Sequence, residues 1–139
     1  MKKIIFSLFL LMFGFGITFG QTFKVIANNS TSVSSINKKD ASDYFLKKKT
    51  KWSDGSTVKP IDLSANSPVR ESFTQQIHGK SVSAIRSYWQ QAIFSGVASA
   101  PPEKGSDQEI VDYVKRTPGA IGYVSASAGT SGVKVISIQ

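Results

Sequence analysis

After an apolar opening stretch, the chain alternates between two hydrophobic periods, and the period assigns the elements. Phe23 to Ala27 (FKVIA) alternates and is rich in large and β-branched residues, which predicts a strand. Asn28 to Ser35 (NNSTSVSS) is a polar loop. Asn37, with Asp40 three residues on, fits a helix cap; Ile36, Ala41, Tyr44 and Phe45 lie on one side of a helix reaching about Lys47. Trp52-Ser53-Asp54-Gly55 reads as a turn. Val58 to Leu63 (VKPIDL) reads as a second strand, near an edge or with an interrupted ladder because of Pro60. Ser67 then suits an N-cap and Pro68 a first helical position, where its missing N–H costs nothing. Val69, Phe73 and Ile77 form a stripe at spacing four, and His78-Gly79 ends that helix.

Ser81 opens the next helix, with Val82, Ile85, Trp89, Ala92 and Ile93 on one face and Gly96 at its end. Val97 to Gly105 is a Pro-Pro loop. Ser106 to Glu109 is a capping box before the apolar face of Ile110, Val111 and Val114. Ala120 to Val124 (AIGYV) reads as a short buried strand, and Val133 to Ile138 (VKVISI) as a closing one. The order is β-α-β-α-α-α-β-β. It predicts an α/β fold, a three-layer sandwich with a mixed β-sheet, in a single domain.

The opening stretch changes how the composition is read. Met1-Lys2-Lys3 precedes an uncharged run from Ile4 to Phe19, and small residues follow, Thr18 and Gly20 standing three and one positions before a cut. That is the layout of a secretory signal peptide over residues 1–20, with a domain over 21–139. A membrane span needs roughly 20 apolar residues, and this run is shorter and broken by glycines. No stable membrane span is expected after cleavage. Without Lys2 and Lys3 the net charge falls from +8 to +6, still favouring anionic partners. The absence of cysteine excludes a disulfide framework, thiolate metal sites and thiol nucleophiles. It also leaves no residue to acylate at the cleavage site, so the expected product is a free periplasmic protein and not a lipoprotein.

Candidate chemistry sits in two places. The junction Ser64-Ala65-Asn66-Ser67-Pro68-Val69-Arg70 joins a strand end to a helix start, where free N–H groups attract anions. Ser67 adds a hydroxyl, and Arg70 offers a forked cation suited to phosphate or sulfate; equally, Ser67 can merely cap while Arg70 is solvated. The loop from Asn28 through Ser30 to Ser32 brings hydroxyls and amides that hold an oxyanion or only satisfy their own turn. The basic run Lys47–Lys51 reads as a solvated face; Trp52 alone adjoins it, so nucleic acid is not an expected partner. Trp89 reads as core and His78 as a helix-end or surface group. One histidine excludes a multi-His metal site, no catalytic pairing stands out, and no cofactor or enzymatic activity is expected.

Four segments taken together resemble the phosphate ABC transporter substrate-binding protein family, with its type 2 periplasmic-binding fold. They are VIANN, DYFLKKKTKWSDGSTVKPIDL, SANSPVRESF and PGAIGYV. The resemblance runs from about Phe23 to Ile138 and corresponds mainly to one of the family's two lobes. In the junction, Pro68-Val69 stands where members carry Gly-Thr, no Arg precedes it, and Arg70 follows. The resemblance implies a single lobe of that fold. It implies an exported protein that binds phosphate or a similar oxyanion through Ser67 and Arg70, with an ABC transporter permease or another envelope protein as partner. The alternative is a single-lobe envelope interaction protein with no transport ligand.

Overall fold

A computed structural model describes residues 22–139. The expected signal peptide lies outside the described residues. Among the described residues, seven strands and four α-helices, one continued by a π-helical turn, follow one another in a mixed α/β order.

The main sheet has five strands: β1 (Phe23–Ala27), β2 (Ser35–Ile36), β3 (Lys59–Pro60), β6 (Ala120–Ser125) and β7 (Lys134–Ile138). Their order is β2-β7-β1-β6-β3. β1 is central and pairs antiparallel with both β6 and β7, while the two outer strands pair parallel with their neighbours. β4 (Asp62–Leu63) and β5 (Glu103–Lys104) form a separate parallel ribbon.

The helices begin where the caps predict. Asn37 Oδ1 accepts the Asp40 amide at 2.7 Å and starts α1 (Lys38–Phe45). Ser67 starts α2 (Pro68–Phe73), which runs on as a π-helical turn over Thr74–His78. Gly79, with φ +64, ends it in the left-handed region that glycine adopts without a Cβ penalty. Ser81 starts α3 (Val82–Phe94). Ser106 starts α4 (Asp107–Arg116), and the Glu109 carboxylate reaches back to the Gly105 amide and the Ser106 hydroxyl. Each such cap satisfies orphan donors of the first turn and contributes about 1 kcal/mol.

Strand alternation divides the core into two faces. A Cβ on Gly122 would stand 3.0 Å from Ile110 and 3.3 Å from Val114, so this face of β6 lies directly under α4, where only glycine fits. Tyr123, next along, points the other way. Its ring stacks on Phe73 at 3.8 Å and lies 5.7 Å from Phe45, with Phe23 closing the cluster against Phe73 at 5.4 Å. α4 therefore covers one face of the sheet, and α1 with α2 covers the other. The result is the expected three-layer α/β sandwich with a mixed sheet. α3 sits apart, holding a small cluster of Ile85 and Trp89 against Leu46.

Two readings of the pattern are corrected. The stretch 58–63 is not one strand. The Lys59 and Ile61 amides donate to the Gly119 and Ile121 carbonyls at β6, whereas those of Asp62 and Ser64 donate to Pro102 and Lys104. The segment thus changes partner after Ile61, and β3 and β4 belong to different sheets. The Pro-Pro loop is not wholly irregular, because Glu103–Lys104 pairs with Asp62–Leu63.

Candidate functional site

The β4–α2 junction is built by local bonds. The Ser67 amide donates to the Ser64 carbonyl at 3.0 Å, closing a turn at the end of β4. The Ser67 hydroxyl accepts the Arg70 amide at 3.4 Å, a long cap bond. Ser64 Oγ donates to Asn66 Oδ1 at 2.9 Å. Two concavities flank the turn. One, of about 190 Å³, is lined by Asn66, Ser67, Glu71 and Gln75. The other, of about 400 Å³, is lined by Ala65, Asn66, Arg86 and Glu103. Arg86, exposed on α3, thus faces the junction; its signal in the sequence was weak, because nothing local ties α3 to residues 64–67.

Arg70 turns inward. Its side chain is 5% exposed. Nη1 donates to the Leu63 carbonyl at 2.8 Å and to Glu103 Oε1 at 2.9 Å, and Nε lies 3.9 Å from Asp62 Oδ1. Burial works against the charge of Arg70, but Asp62 and Glu103 outweigh it and raise its pKa. Asp62 is buried between the ribbon and the sheet, where Tyr123 Oη donates to its Oδ1 at 2.9 Å. Burial pushes its carboxyl up to about 6 despite the opposing pull of Arg70 and the Tyr123 hydrogen bond. The same burial, with the Asp62 charge beside it, pushes the Tyr123 hydroxyl far above its ordinary range. This buried Arg–Asp–Tyr group ties the small ribbon to the main sheet.

Asn28 and Ser30 stand elsewhere, at the carboxyl end of β1. The Asn28 amide donates to the Val114 carbonyl at 2.8 Å and the Lys115 carbonyl at 3.1 Å, near the end of α4. Its Oδ1 accepts the Ser30 amide at 2.9 Å. Ser30 then lines a concavity of about 430 Å³ with Ser56, Thr57 and Lys59. Ser67 does not line that concavity, so the four candidate residues serve different places: Ser67 the helix start, Arg70 the buried cluster, Asn28 the strand–helix tie and Ser30 the rim of a separate hollow.

His78 is half-buried. Nδ1 lies 2.7 Å from the Ser42 hydroxyl, and the ring stands edge-on to Phe73 at 5.7 Å. Burial, then the positive charges of Arg70, Lys48 and Lys80, lower its pKa to about 4, so the ring is neutral at neutral pH. Among the described residues no group of three or more potential ligands could hold a metal ion. None of the described helices is long and apolar enough to cross a membrane.

No family model matches the chain, and no curated protein does. Solved structures do. An ABC-type phosphate transport receptor from Vibrio cholerae superposes with a TM-score of 0.68 at 16% identity, over 84% of this chain and 46% of that one. A phosphate ABC transporter substrate-binding protein with bound phosphate from Clostridium perfringens gives 0.67 at 16% identity, over 84% and 44%. PstS from Borrelia burgdorferi gives 0.60 at 11% identity, over 85% and 47%. The chain spans less than half the length of each. At these identities the likeness concerns the fold: one lobe of a periplasmic-binding-protein architecture.

Proposed function

We propose that the protein is an exported, non-enzymatic binding lobe that takes phosphate or a similar small oxyanion at the β4–α2 junction. Residues 1–20 act as its leader. The observation that carries this reading is the junction itself, a serine-capped helix start closing a strand end with a cationic side chain across the groove. The fold likeness to phosphate receptors supports it. The Ser67 hydroxyl and the Val69 amide, which has no partner among the described residues, offer the donors. Arg86 replaces Arg70 as the cation, because Arg70 is occupied by Leu63, Asp62 and Glu103. A permease or another envelope protein receives the loaded lobe.

Calorimetry of residues 21–139 with inorganic phosphate tests this. Binding weakened about tenfold by Ser67→Ala and by Arg86→Gln is expected. An absence of heat at millimolar phosphate overturns it.

A second reading, a lobe that docks on an envelope protein without a transport ligand, draws on the end of α3. Phe94 is 94% exposed and Val97 79%, an unusual display of large apolar side chains. Recovery of one envelope protein by the wild type, lost with Phe94→Ser and Val97→Ser, favours that reading if phosphate gives no heat.

A further inference from the structure

A cavity of about 330 Å³ opens between the β4–β5 ribbon, α3 and the segment around Pro101. Its size is at the lower end of small-molecule sites, about 300–1,000 Å³. Asp62 and Arg70, 7% and 4% exposed, are part of its lining, together with Glu103. Their charges do not cancel. One guanidinium faces two carboxylates. Arg70 uses one oxygen of Glu103, and Tyr123 uses one oxygen of Asp62. Asp62 Oδ2 and Glu103 Oε2 accept no hydrogen bond from the described residues. On this wall the carboxylates outnumber the guanidinium by one and keep spare acceptors, and such acceptors favour an ammonium.

The remaining lining, apart from the Gln90 amide, is of two other kinds. Arg86 contributes a cation that forms no ion pair among the described residues. Trp89, Ile93 and Pro101 contribute an apolar wall. Negative, positive and apolar surfaces thus meet in a space the size of one small metabolite. The junction groove shares Arg86 and Glu103 with this cavity and uses neither Asp62 nor Trp89.

We propose that this cavity binds a small zwitterion with an apolar side group, in chemical class an apolar α-amino acid. Its ammonium sits on Asp62 and Glu103, its carboxylate on Arg86, and its side chain against Trp89, Ile93 and Pro101. The proposal deepens the binding-lobe reading, with which it shares Arg86, but it requires neither Ser67 nor phosphate. Because Arg86 and Glu103 are partly solvated, millimolar affinity is expected.

The test follows the Trp89 indole N–H signal of isotopically labelled protein by NMR. The ligands are L-leucine, N-acetyl-L-leucine, isoamylamine and inorganic phosphate. L-leucine is expected to shift the signal saturably. N-acetyl-leucine, which lacks the ammonium, and isoamylamine, which lacks the carboxylate, are each expected to bind about tenfold more weakly. Glu103→Gln, at a half-exposed position, is expected to weaken leucine about tenfold. Because Glu103 also lines the junction groove, losing its negative charge is expected to keep or strengthen phosphate binding, not weaken it. Ser67→Ala is expected to leave leucine unchanged. No shift at up to about 10 mM leucine, equal binding of the three organic ligands, or wild-type affinity in folded Glu103→Gln each overturns the proposal. Leucine binding in the absence of phosphate binding upholds it and sinks the oxyanion reading alone.

Discussion

Replacing Arg70 with methionine tests whether this residue serves the fold. In the wild type its 5%-exposed side chain bonds the Leu63 carbonyl and Glu103 and stands 3.9 Å from Asp62. Methionine fills similar volume but removes the cation beside Asp62, leaving the Tyr123 hydrogen bond in place, and removes the side-chain donor to the Leu63 carbonyl. Breaking a buried ion pair in this way costs about 3–5 kcal/mol, because one charge is stranded. That cost depends on pH. With Arg70 in place, burial already holds the Asp62 carboxyl at about 6, against an ordinary 3.8. A carboxyl with a raised folded pKa binds its proton more tightly in the fold than in the unfolded chain. Its ionisation therefore subtracts stability as pH rises from the unfolded value through the folded one, by up to about 1.4 kcal/mol per pH unit.

Removing the cation raises the folded value further and extends the loss to higher pH. Urea unfolding followed by circular dichroism, at about pH 5 and about pH 7.5, should show a loss at least about 1 kcal/mol larger at the higher pH. His78 titrates across the same acid range with the opposite sign: its lowered pKa makes the fold lose stability as pH falls from 6.5 toward about 4. Comparing variant with wild type at each pH removes most of that contribution. The double variant Arg70→Met/Asp62→Asn should recover part of the loss at the higher pH. A cost below about 1 kcal/mol at both pH values, or one equal at both, would refute the stranded-charge reasoning.

Two further outcomes follow from close contacts. Asn28→Ala strips two bonds from carbonyls near the end of α4 and one from the Ser30 amide, and should cost about 2 kcal/mol in chemical unfolding. Gly119→Ala places a Cβ 2.2 Å from the Thr57 carbonyl oxygen at a φ of +81, and should cost about 2–4 kcal/mol. Because the Trp52 indole donates to the Gly119 carbonyl at 3.0 Å, the same variant should alter Trp52 fluorescence before global unfolding.

Much of the fold was legible because it rests on short-range chemistry. Asn37, Ser67, Ser81 and Ser106 each accept the amide three residues on, so their helices start where the side chains say. The continuous apolar run AIGYV likewise identified a strand buried on both faces. The errors arose where partners are distant. β5 is two residues long and exists because it pairs with Asp62 and Leu63, about forty positions earlier. No local pattern marks it.

The candidate site divides along the same line. The sequence by itself determined the three-layer α/β sandwich, the serine-capped helix after a strand, and the polar loop at Asn28 and Ser30. Each depends on periodicity or on a neighbour within a turn. Only the tertiary structure decided what the charges do. Arg70 and Glu103 are 33 residues apart, and Tyr123 and Asp62 are 61 apart. Whether Arg70 faces solvent or carboxylates is set by the ribbon that brings them together. The same packing places exposed Arg86 in the lining of both the junction groove and the neighbouring cavity. Electrostatic energy depends on separation in space and on burial, and neither is a property of position along the chain.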